Sequence, residues 1–160
     1  MNEKSLREHL VWLLRVGNAH VTFEQAVAGI PPRLRGARAK GVPWTAWQLV
    51  EHLRICQWDI LDFCRNPKYK EMRFPDDYWP RSAKPASRAA WNASVRRFLA
   101  DRRAMERLVR NPKADLFARI LHGTGQTILR EALVVADHNA YHVGQLVLLR
   151  RLLGGWAEGK

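Results

Sequence analysis

The stretch "ADHNAYHVGQ" at positions 136–145 sets His138 and His142 four residues apart in a segment otherwise rich in apolar residues. Four residues are about one turn of an α-helix, so both imidazoles share a face and can direct a nitrogen each at one point. Helices hold divalent metal ions with this spacing, and a third ligand must then come from another element. Taken singly, a histidine on an apolar face is more often a hydrogen-bonded core residue, and a lone H-x-x-x-H arises by chance. A third inward histidine shifts the balance towards metal.

His52 is the leading third ligand. It occupies the stripe Leu49, His52, Ile55, Cys56, Ile60 and Phe63, with Glu51, Arg54 and Asp62 turned away. It lies roughly 10 Å from the start of its helix, and His142 lies roughly 16 Å from the end of its own. If those two ends share one end of a bundle, the three imidazoles fall within about a turn of one level. His20 falls near that level too, as pocket lining, a fourth ligand or a proton shuttle, against plain core hydrogen bonding. Glu131, two turns before His138 on the same face, would orient a ligand or act as a base; equally, it is a helix-start carboxylate favoured by the dipole. Tyr141 flanks the pair, its hydroxyl within reach of an ion or its ring simply packed. Trp44, Trp47, Trp58 and Tyr78 are candidate walls, with core packing as the alternative. His122, in "LHGTGQ", reads as a loop-capping residue.

Helices must position these side chains. Ser5 with Glu8 forms an S-x-x-E box and "AGIPP" a stop, predicting a first helix near 5–28 with Leu6, Leu10, Leu13, Gly17, His20 and Val27 facing inward. Thr45 with Gln48 opens a second helix that ends at Cys64 or Arg65 before "NP". Residues 66–85 hold four prolines among aromatics and charges and continue neither neighbour; so long a connection crosses the domain or carries function. A third helix spans about 87–110 on Trp91, Val95, Phe98, Met105 and Leu108. The fourth spans about 126–153, with Thr124 or Thr127 as cap and Gly154 just past its end. Strand-like alternation is absent, so the expected fold is an all-α four-helix bundle with a long crossover between helices two and three, forming one domain over 1–160.

Composition sets the outer bounds. With 160 residues, 47% of them hydrophobic and 26% charged, the chain can bury one good core. Nothing at the N-terminus resembles a signal peptide, and no segment approaches the roughly 20 apolar residues of a membrane span. Cys56 and Cys64 lie about 12 Å apart along one helix, beyond disulfide reach, and fit a reducing compartment. The expectation is a cytoplasmic protein with no membrane partner. A formal charge of +12 invites a nucleic-acid reading, but the basic residues are scattered over several segments and no nucleic-acid-binding motif accompanies them. That reading ranks last.

The chain resembles the DinB-like family of small bacterial four-helix proteins, the superfamily that includes the YfiT-type thiol transferases. The resemblance rests on "WTAWQLVEHLRICQWDILDFCRNP", "LREALVVADHNAYHVGQLVLLRRLLGGW" and "HVTFEQAVAGIPP", and covers essentially the whole chain. It implies a divalent metal ion held by His52, His138 and His142 with water completing the shell, parallel second and third helices joined by the crossover, and often a homodimer. Zinc, nickel or iron would all suit imidazole nitrogens. The resemblance leaves the reaction open, because relatives include thiol-dependent transferases and isomerases. Two functions follow: a metal-dependent transferase or hydrolase, with a small-molecule substrate and a low-molecular-weight thiol held as thiolate, or a non-catalytic metal-binding module of structural or stress-related role. Three protein ligands and an open position favour the first; four ligands and a closed shell favour the second.

Overall fold

Helix starts in this protein are set by hydroxyl side chains. In the computed structural model, which describes residues 2–16 and 19–156, Thr22, Thr45, Ser87 and Thr127 each accept a bond from the backbone N–H three residues on, at 3.1–3.2 Å. Each satisfies one of the donors that a helix N-terminus leaves free. Thr22 and Thr45 form complete capping boxes with Gln25 and Gln48. Among the described residues six helices result: α1 (Glu3–Val16), α2 (Phe23–Val27), α3 (Pro32–Arg35), α4 (Ala46–Arg65), α5 (Arg88–Arg110) and α6 (Ile128–Leu152). No strand forms among the described residues, so the all-α expectation holds.

The first helix differs from its sequence reading. It begins at Glu3 rather than Ser5, with Asn2 Oδ1 accepting from Lys4 N at 3.0 Å, and it ends at Val16 rather than 28. The chain then restarts at Thr22, because a hydroxyl and a glutamine in T-x-x-Q order cap a new helix more favourably than they continue an old one. The inward face is Arg7, Leu10, Val11 and Leu14, whereas Leu13 is 48% exposed. His20 falls between the two helices and is exposed, not core-facing; Gly17 lies outside the described residues. Gly154 takes the positive φ, 65°, expected just past α6.

Contacts along the long helices fix their directions. Trp47 near the start of α4 packs on Trp91 near the start of α5, while Leu61 near the end of α4 clusters with Met105 and Val109 near the end of α5. The two helices therefore run parallel, and residues 66–87 must carry the chain back along the molecule as a crossover. Helix α6 runs opposite to α4: Leu146 and Leu149 share a cluster with Leu49 and Leu53, and Val135 shares one with Leu61. Arg7 of α1 donates to the Val109, Asn111 and Ala114 carbonyls, closing the end of α5 that its own hydrogen bonds leave open.

Two apolar clusters make up the core, one built on Leu49, Leu53, Phe98, Leu146 and Leu149, the other on Leu61, Met105, Val109, Leu116 and Val135. Between them on α4 and α6 lies a polar layer. Gln57 Nε2 donates to the Phe98 carbonyl at 2.7 Å, and Asn139 Nδ2 donates to Gln57 Oε1 at 2.9 Å. The buried Gln57 amide is thereby bonded through both its nitrogen and its oxygen, as a buried amide must be. The candidate ligands border this layer.

Candidate metal centre

Antiparallel packing of α4 and α6 brings His52 against both members of the α6 pair. His52 Nε2 lies 3.2 Å from His142 Nε2 and 3.2 Å from His138 Nε2. Three ligating nitrogens, one from each residue, all lie within 4.8 Å of one another. His52 and His142 are buried, and His138 is half-buried. Bonds of about 2.0–2.1 Å to a tetrahedral ion would place two nitrogens about 3.3 Å apart, so the two 3.2 Å separations from His52 are compatible with neighbouring ligands on one ion.

Hydrogen bonds on the far sides of the rings decide which nitrogens carry protons. The Tyr78 carbonyl can only accept, so His52 Nδ1 donates to it at 2.9 Å. His142 Nδ1 donates to Gln145 Oε1 at 2.8 Å. In the neutral rings both Nε2 atoms then present lone pairs, and at 3.2 Å those lone pairs face each other. A cation between them could be held by both lone pairs. Such outer partners are what orient metal-binding histidines and raise their basicity towards the ion.

Electrostatics keeps the rings neutral. Burial pushes His52 down to about 4, a shift opposed by the Tyr78 bond and reinforced by neighbouring His142. Burial pushes His138 down to about 3, with His142 and His52 adding to the effect. His142 is lowered by burial against its bond to Gln145. Removing an ion-sized charge from water disfavours imidazolium, so the unprotonated donors a metal requires are the resting form at neutral pH.

The crossover contributes a wall that the sequence reading missed. Trp79 stacks on His52 with ring centroids 3.7 Å apart and planes within 5°, and Trp44 stacks on the other side of Trp79 at 3.8 Å. The run of aromatics between Pro75 and Pro80 was the available signal, but which ring meets His52 depends on the path of the crossover. Cys56, one turn after His52, places its sulfur 3.4 Å from His52 Nδ1, with burial raising the thiol to about 12. It is an inert neighbour in that state.

The remaining candidates lie apart. His20 bonds the Val21 carbonyl through Nδ1 at 2.8 Å and lines a cavity of about 560 Å3 with Trp12, Phe23 and Asn139; none of the three clustered histidines lines that cavity. Glu131 is buried but pairs with Arg130 and borders a different cavity, of about 440 Å3, together with Asp59, Tyr69, Tyr78 and His122. Tyr141 is 64% exposed, its ring edge-on to His142 at 4.9 Å. His122 bonds the Phe63 carbonyl through Nε2 at 2.9 Å, tying the loop before α6 to the end of α4. Trp58 is 40% exposed and walls nothing at this site. Among the described residues, the group His52, His138 and His142 could hold a metal ion, and the others are not gathered on it.

An all-helical protein with a three-histidine cluster between two antiparallel helices is the class that fold and site define. The model of the DinB superfamily matches residues 18–146, a stretch that takes in α2 to α5 and ends in the last third of α6, and the chain belongs to that superfamily. No curated protein and no solved structure matches the chain significantly. No helix among the described residues is long and apolar enough to cross a membrane.

Proposed function

We propose that the protein is a metal-dependent enzyme in which His52, His138 and His142 hold one divalent ion. Support comes chiefly from the two Nε2 lone pairs of His52 and His142, fixed face to face at 3.2 Å by bonds on the opposite sides of their rings. Zinc, nickel and iron all suit three imidazole nitrogens. Three protein ligands leave at least one position for a water or a thiolate, and an ion so held would supply Lewis acidity and lower the pKa of what binds there. The protein's own part is to keep the donors unprotonated and to hold His52 between Trp79 and the Tyr78 carbonyl.

On this reading the reaction is transfer of a low-molecular-weight thiol to an electrophilic small molecule, or hydrolysis by the same open position. A non-catalytic role, with the ion joining α4 to α6, is favoured by one feature: the cavities of about 560 and 440 Å3 are not lined by the three imidazoles. Loading the protein with cobalt and titrating a small thiol separates the two. An enzyme with an open position develops a sulfur-to-cobalt charge-transfer band. A spectrum unmoved by thiol, with cobalt bound, would favour the joining role. The protein is further proposed to act as one domain, in the cytoplasm and as a homodimer.

A further inference from the structure

Asp59 lies two turns beyond His52 on α4 and is 6% exposed, an expensive place for a carboxylate. Two hydroxyls of the crossover satisfy it: Tyr69 Oη donates to Oδ1 at 2.9 Å and Tyr78 Oη to Oδ2 at 2.7 Å. The two tyrosines have the same chemistry on the same carboxylate, yet only one leads to the histidines. Tyr78 also accepts the His52 Nδ1–H through its backbone carbonyl, and the next residue, Trp79, covers the face of the same ring.

We propose that Asp59 is a positioning residue for the His52 imidazole, acting through Tyr78. Its carboxylate pins the Tyr78 side chain, which sets the height of the Tyr78 carbonyl and of the Trp79 ring, and these fix the tautomer and tilt of His52. The consequence for metal rests on the proposed function: loosening the pin should weaken binding by about the 10- to 100-fold seen when outer partners of metal-binding histidines are removed. Tyr69 serves as the internal control. Tyr69→Phe removes a hydroxyl bond from the same buried carboxylate while leaving in place the Tyr78 bond to Asp59 and the Tyr78 carbonyl on His52.

The test compares wild type, Tyr78→Phe and Tyr69→Phe by two readouts. The first is the imidazole nitrogen spectrum of the metal-free proteins, which reports the His52 tautomer; the second is zinc affinity by competition with a chelator. The expected result is a His52 held with its proton on Nδ1 in wild type and Tyr69→Phe, and tautomer averaging with at least tenfold weaker zinc binding in Tyr78→Phe. Equal behaviour of the two phenylalanine variants, in tautomer and affinity, would overturn the proposal. If wild type binds none of zinc, nickel and iron, the metal reading fails, and the tautomer comparison still decides whether Asp59 and Tyr78 position His52.

Discussion

Acidifying the metal-free protein is predicted to destabilise it by about 4 kcal/mol between about pH 7 and about pH 5. The sign follows from the two populations. In the unfolded chain His52 and His138 titrate at their ordinary 6.5, whereas in the folded chain they are held at about 4 and about 3. Within this window the unfolded state therefore binds more protons than the folded one, and stability is lost as the pH is lowered. Integrating the difference gives about 2 kcal/mol for each imidazole over those two pH units. His142, also lowered, works in the same direction. Asp59, raised by burial, opposes it, since its folded form takes up a proton more readily as the pH drops. Urea unfolding at the two pH values measures the difference; with a slope of about 2 kcal/mol per molar, the midpoint should move down by about 2 M. A His52→Gln, His138→Gln double variant should lose most of that pH dependence. A midpoint unchanged or higher at pH 5 in wild type would refute the argument, because the rings would then not be held neutral.

Packing yields two further outcomes. Leu146 is fully buried between α4 and α6, and Leu146→Ala should cost about 2–5 kcal/mol in chemical unfolding. Gly144 sits in the interior of α6 on the exposed side, and a Cβ there meets nothing within 4 Å. Gly144→Ala should therefore raise stability by about 0.5–1 kcal/mol, visible as a higher melting temperature with unchanged zinc affinity.

Much of this organisation was legible from local chemistry. The ends of α4 and α6 follow from Thr45 with Gln48, from Thr127 and from Gly154, all of which act within a turn of their own positions. The meeting of His52 with the α6 pair was legible for a related reason: helical spacing converts residue counts into heights, and antiparallel neighbours at one level must touch. The first helix was misread because apolar steps of three and four continue through a break, while the T-x-x-Q signal at Thr22 and Gln25 that overrides them was passed over. His20 lost its inward place with that break. Glu131 shares a face with His138 yet stands two turns away, a distance that periodicity ignores and a side chain cannot span. Trp79 and the Asp59 pin depend on the course of a 22-residue crossover between α4 and α5, which no period or cap in the sequence describes.

The most direct test of the central claim is metal content per chain by elemental mass spectrometry, on protein purified without a histidine tag, beside a His52→Ala, His138→Ala, His142→Ala variant. The account predicts close to one equivalent of a divalent transition metal in wild type and its loss in a variant that remains helical. Equal metal in both proteins, or none in wild type after incubation with zinc, nickel and iron, would contradict it.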